Sequence, residues 1–193
     1  MPRPDHALSL EPEPMPAPYA PRPLHAFVDE SKRSGQYLMC AVLIAPKHLA
    51  EVRRALTDLC LRGQRRLHFR SERDPRRRLI LDRIARFPMR AYLYQQSHRP
   101  TVARAACMRT MTRDFLAVGV SRLVIEHTDG YLHRDGSVLI NEMQRQGWPN
   151  ALVYEHVQAH LEPNLWAADA VAWAYGAGGD WRRRIDGLID IRP

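Results

Sequence analysis

The sequence predicts an α/β fold: a mixed β-sheet that opens with an antiparallel hairpin, continues in parallel strands and is flanked by helices. Three observations predict it. Two apolar runs, 24–29 and 36–45, flank the turn-forming Lys32-Arg33-Ser34-Gly35, which is the pattern of a hairpin. Two later runs, RLVIE at 122–126 and ALVYE at 151–155, alternate with helix-length segments, and that order implies parallel strands joined by right-handed crossovers. A length of 193 residues with 45% apolar residues suits one domain with its own core.

The elements follow in chain order. Residues 1–23 hold eight of the 15 prolines, and proline fixes φ and removes a backbone donor, so a disordered leader is expected there. One domain is expected over 24–193, ending in a short basic tail. After the hairpin, Pro46 suits a helix start, and Leu49, Val52, Leu56 and Leu59 recur at helical spacing until Gly63. The segment Arg66-Leu67-His68-Phe69 reads as extended. Asp74-Pro75 opens a second helix, with Leu79, Ile80 and Ile84 as its apolar stripe. Met89 to Gln95 alternates like a strand. Thr101 to Ala117 is a long helix closed by Gly119, Asp135 to Gln146 a further one, and Leu165 to Tyr175 the last before the glycines at 176, 178 and 179. The final WRRRIDGLIDIRP reads as a basic helical tail.

Composition narrows the class. The net charge is +8, and of the 29 basic residues only Lys32 and Lys47 are lysine. Arginine presents a planar fork that pairs with phosphate oxygens, so the balance favours a polyanionic partner over an acidic protein. Thirteen arginines lie between Arg53 and Arg90; Arg65, Arg66, Arg70, Arg76 and Arg77 are the candidates for backbone phosphate contacts. No aromatic residues interleave with them to stack bases. Cys40, Cys60 and Cys107 are widely spaced in apolar stretches and read as reduced thiols. No apolar stretch is long enough to span a membrane and no signal-peptide layout opens the chain, so a cytoplasmic location is expected. Gly-rich phosphate loops, GxSxG and HExxH are absent from the sequence.

What remains is a set of acids at unusual places. Asp29 follows the apolar Phe27-Val28, Glu126 closes RLVIE, and Asp169 is the only charged residue between Glu162 and Asp180. Ligands gather beyond the carboxyl ends of strands in open α/β sheets. If the first strand and RLVIE are parallel neighbours, Asp29 and Glu126 emerge together. A carboxylate on the apolar face of LWAADAVAWAYGAGG is costly unless it is paired or holds metal. Three converging carboxylates suit Mg²⁺ or Mn²⁺, and two such ions about 4 Å apart can drive phosphodiester hydrolysis. Glu30, by strand alternation, points to the opposite face. His68 is a candidate phosphate donor or proton shuttle.

The ordered set FVDES, LHF, LVIE and WAADAVAWA, over about residues 24–176, resembles the group called domain of unknown function 3800, within the ribonuclease H-like superfamily. The resemblance implies a ribonuclease H-like sheet and a divalent-metal-dependent nuclease site acting on DNA or RNA. Asp29, Glu126 and Asp169 match its metal-holding acids, and Glu30 its opening motif. Lys32 stands where the group often has glycine. A fourth acid is usual in such sites; Glu72 and Asp129 are the candidates. The alternative reading is an inactive nucleic-acid-binding or scaffolding module of the same fold. A third is a self-associating accessory protein, a homo-oligomer using the proline leader as its arm.

Overall fold

The computed structural model describes residues 23–33 and 35–193. The expected proline-rich leader lies outside the described residues except for Pro23. Six strands form one mixed sheet in the order β5-β4-β1-β2-β3-β6. Strands β1 (Leu24–Arg33), β2 (Gln36–Ile44) and β3 (Met89–Gln96) form an antiparallel meander. Strands β4 (Val120–Glu126) and β5 (Val153–Val157) extend it in parallel beyond β1, and β6 (Ile189–Arg192) lies parallel to β3 at the other edge.

Strand alternation divides the core into two layers. Phe27, Cys40, Val42, Leu93 and Val124 face one way, toward α1 (Leu49–Asp58), α2 (Asp74–Ile84) and α5 (Asn164–Ala177). Ala26, Val28, Met39, Ala41 and Ile125 face the other, toward α3 (Pro100–Val118) and α4 (Leu132–Arg145). Within β1 the switch from one face to the other falls between Asp29 and Glu30, because successive side chains in a strand point to opposite sides.

Helix α5 is apolar nearly all round, with Leu165, Trp166, Ala167, Ala168, Ala170, Val171, Ala172 and Ala174 all buried. A stripe on one face would serve a helix at the surface. This one lies against β1 and β2 beneath α1, α2 and the short turn at Phe69–Ser71, so it needs apolar residues on several sides. Its small alanines let it approach the strands. Glu162 sets its start: the carboxylate accepts from the Asn164 N–H at 3.1 Å and takes a two-pronged bond from Arg53 of α1. Gly119 ends α3 in the left-handed region at φ 78°, donating its N–H to Phe115 O, as a glycine without Cβ strain can.

Four local expectations need correction. Strand β1 runs on to Arg33 and does not stop at Asp29, because pairing with β2 continues to Arg33↔Gln36 after pairing with β4 has ended at Val28↔Ile125. Residues 66–68 pair with no strand among the described residues; Phe69, fully buried edge-on against Trp173 with ring centroids 5.2 Å apart, pulls the segment into a single turn of 3-10 helix. Helix α4 begins at Leu132, so Asp135 lies inside it as an ion-pair partner and caps nothing. The basic end is a short helix, α6 (Gly179–Arg183), followed by β6, whose backbone satisfies the edge of β3.

Candidate functional site

The register of β1 against β4 brings the first two acids together. Their ladder ends at Val28↔Ile125, so Asp29 and Glu126 are the next residues on adjacent parallel strands and share the α5 face. From α5, Asp169 is the third acid at the same place. Asp29, Glu126, Asp169, Arg66, His68 and Trp166 line a small polar cleft of about 130 Å³.

Each carboxylate is oriented by one fixed donor. The Glu30 N–H donates to Asp29 Oδ1 at 2.6 Å. Arg66 Nη1 donates to Glu126 Oε1 at 2.9 Å. The Phe69 N–H donates to Asp169 Oδ2 at 3.0 Å, with His68 Nδ1 3.6 Å from the same oxygen. The partner oxygens Asp29 Oδ2, Glu126 Oε2 and Asp169 Oδ1 take no hydrogen bond from a donor among the described residues. The edge-on contact of Phe69 with Trp173, and the Arg77 guanidinium over the Trp173 ring at 4.4 Å, therefore bear on the site, because they fix the N–H that holds Asp169.

Burial and the crowding of like charges act together on Asp29. Burial, then a shared hydrogen bond with Glu126 and the charges of Glu126 and Asp169, push the Asp29 carboxyl well above its usual range against the opposing Glu30 N–H. Asp169 draws the His68 imidazole up, which favours its protonated form. Cys40, paired across from Asp29 on β2, is held as a thiol mainly by its burial, then by Asp29 and Asp169. Cys40, Cys60 and Cys107 are all free thiols.

Among the described residues no group of three or more His, Cys, Asp and Glu side chains is placed so that it could hold a metal ion. In donor chemistry alone the set is of the kind that Mg²⁺ or Mn²⁺ takes. It is made of carboxylate oxygens in a polar cleft, and Mg²⁺ is commonly held by one or two carboxylates while keeping several waters. Arg66 offsets part of the charge on Glu126.

The remaining candidates separate. Glu30 gives the cleft its main-chain N–H, while its carboxylate lies on the opposite face, bound by Arg104, Tyr37 and Lys32. Burial alone would raise the Glu30 carboxyl, but Arg104, Lys32 and Tyr37 outweigh it and hold it below the usual range. Arg65 and Arg70 have exposed side chains. Arg76 and Arg77 are occupied within the fold: Arg76 bonds Leu59 O and lies 3.6 Å from Glu72, and Arg77 bonds Asp74, Phe69 O and Arg70 O. Of the fourth-acid candidates, Glu72 is buried under Gln64 and Arg76, and Asp129 is fully exposed beside His127; neither lines the cleft.

Sequence reasoning missed the buried Arg104–Asp135 pair behind the site, where both residues are at most 3% exposed. The signal was present: Arg104 shares a helix face with the apolar Cys107, Met108 and Met111, and a guanidinium there requires a buried acid.

No family model matches the chain, and no curated protein matches it. Among solved structures, one match is a chain of the PCNA:RNase HII complex from Archaeoglobus fulgidus, at 15% identity and a TM-score of 0.54, covering 86% of this chain and 76% of that one. Together with the antiparallel meander, the parallel β4 and β5 and the flanking helices, this likeness shows that the chain has a ribonuclease H-like fold.

Proposed function

We propose that the protein is a divalent-metal-dependent nuclease that hydrolyses phosphodiester bonds of DNA or RNA. The observation that carries this reading is the meeting of Asp29, Glu126 and Asp169 in one polar cleft, where burial and then the neighbouring acids raise the Asp29 carboxyl. Buried acids crowded this way cluster at functional sites. The likeness to a chain of an RNase HII complex supports the same class, as does the ordered motif set that resembles domain of unknown function 3800.

Asp29, Glu126 and Asp169 would hold Mg²⁺ or Mn²⁺. When bound, the metal supplies an activated water and offsets charge on the leaving oxygen. The chain's own residues orient and screen. The Glu30 and Phe69 N–H groups each hold one oxygen of a carboxylate, on Asp29 and Asp169, and leave the other without a donor among the described residues. His68 is exposed and holds its proton readily beside Asp169, so it donates to a phosphate oxygen. Arg66 reaches the cleft and, with exposed Arg65 and Arg70, meets the backbone.

A second reading is an inactive nucleic-acid-binding module. The Arg66–Glu126 ion pair favours it, because a fixed guanidinium already neutralises one acid of the set. One experiment separates the two readings: purified wild-type and Asp169→Asn proteins are incubated with single- and double-stranded DNA and RNA plus Mn²⁺. Cleavage by wild type, reduced about 100-fold or more in the variant, is expected. Equal cleavage by both proteins marks a contaminant and sinks the nuclease reading. Salt-sensitive binding without cleavage establishes the second one.

A further inference from the structure

A cavity of about 560 Å³ opens between α3 and α4, across the sheet from the three acids, and nothing in the proposed hydrolysis uses it. Its volume lies within the roughly 300–1,000 Å³ of small-molecule sites. Val102 and Ala105 of α3 and Val138 of α4 give it apolar walls, and Val102 is 53% exposed although apolar. Arg109, His133 and Arg134 stand at its exposed rim.

The charge at this groove is positive. Asp135 is its one lining acid, and both Asp135 oxygens are occupied: Oδ1 by Arg104 Nε at 2.9 Å, Oδ2 by Arg104 Nη2 at 2.7 Å and His156 Nε2 at 2.9 Å. Arg109 and Arg134 make no ion pair among the described residues. Their charges thus face an apolar trough with no internal counter-ion. A nucleic-acid strand would need a row of cations along its backbone, whereas this groove is short and its apolar wall is made by Val102, Ala105, Val138 and the Tyr131 ring.

We infer that the α3–α4 groove binds a small organic anion, a phosphate ester or carboxylate with an apolar body, with Arg109 and Arg134 on the headgroup and Val102, Ala105 and Val138 against the body. Charge-assisted bonds give the headgroup its hold, and the exposed valine gains by being covered. The inference stands apart from the nuclease reading, since it involves none of the cleft residues.

The test uses anilinonaphthalene sulfonate, a fluorescent aromatic sulfonate, titrated into the full chain. The variants are Arg109→Ala/Arg134→Ala and Val102→Asp, all at exposed positions that leave the core intact. Saturable binding to wild type is expected, weakened about tenfold or more in both variants: the double variant loses the charge-assisted bonds, and Val102→Asp sets a carboxylate against the anion's apolar body. Unchanged affinity in both variants overturns the proposal. Adenosine monophosphate and octanoate are then used as competitors. Displacement by either supports the site and tells which headgroup it prefers, and displacement by neither overturns it. Displacement by a DNA duplex at equal charge concentration also overturns it, because the groove would then belong to a nucleic-acid surface.

Discussion

Two neighbouring residues of β1, Asp29 and Glu30, serve opposite faces of the sheet, and their surroundings differ in kind. Asp29 is crowded by acids, whereas Glu30 is matched by Arg104, Lys32 and Tyr37. Arg104 is the pivot of the matched side, holding Glu30 and Asp135 at once. Replacing it by methionine leaves buried Asp135 and half-buried Glu30 without their guanidinium. Arg104→Met is therefore expected to lose about 3–5 kcal/mol of unfolding free energy in a urea titration at neutral pH. The pH dependence gives an independent check through Asp135. In wild type, burial would raise the Asp135 carboxyl, but Arg104 and His156 outweigh it and hold it below its usual value. Its contribution is thus complete above the ordinary carboxylate range and is lost as pH falls through the lowered folded value. Without Arg104, burial dominates, the folded value rises above the unfolded one, and protonation favours folding. The stability gap between the two proteins should therefore narrow as pH falls from neutral toward 5. A gap that widens over that interval would show that Asp135 is not held by Arg104 in solution.

Helix α5 is the element on which the cleft depends, since it carries Asp169 and, through Trp173, anchors the turn that presents the Phe69 N–H. Ala168 and Ala172 are at most 1% exposed against the sheet. Ala168→Leu inserts a side chain where none fits and is expected to cost about 1–3 kcal/mol in thermal or urea unfolding. An unchanged midpoint would show that α5 stands further from the strands. This helix was legible in the sequence, because a lone Asp in an alanine-rich apolar run can only be interior or functional. So were the hairpin and RLVIE, whose apolar runs are short and sharply bounded. Three things were not legible. The length of β1 past Asp29 depends on a partner strand and leaves no mark on β1 itself. The turn at Phe69 is set by Trp173, about a hundred residues away in sequence, which no local pattern encodes. Strand β6 has four residues, IDIR, too few for a periodicity to show. Asp29 and Glu126 were read from strand ends and Asp169 from its apolar helix, but the donors that orient them, the N–H groups of Glu30 and Phe69 and the guanidinium of Arg66, come from tertiary placement.

At the scale of the molecule, the sheet acts as a rigid frame that forces two carboxylates together. Asp29 and Glu126 are set by the β1–β4 register, which many ladder hydrogen bonds maintain, so neither acid can withdraw without breaking the sheet. The chain has a net charge of +8 overall, yet this one point on it is acidic. A site held against its own repulsion lowers stability. Asp29→Asn tests this directly. The asparagine keeps an oxygen for the Glu30 N–H and offers its amide to Glu126, which relieves the repulsion without changing volume. In the absence of metal the variant is expected to gain about 1 kcal/mol, which for a chain of this length is a rise of about 2–4 °C in Tm. With Mn²⁺ the order should reverse. Wild type gains stability in proportion to the logarithm of metal concentration above its dissociation constant, about 2.7 kcal/mol at a hundredfold excess, while the variant, with one ligand gone, gains far less. Calorimetry of both proteins across a Mn²⁺ series reads both effects without any substrate. Parallel responses of the two proteins to Mn²⁺ would place the metal elsewhere and remove Asp29 from the site, whatever nuclease activity the protein displays.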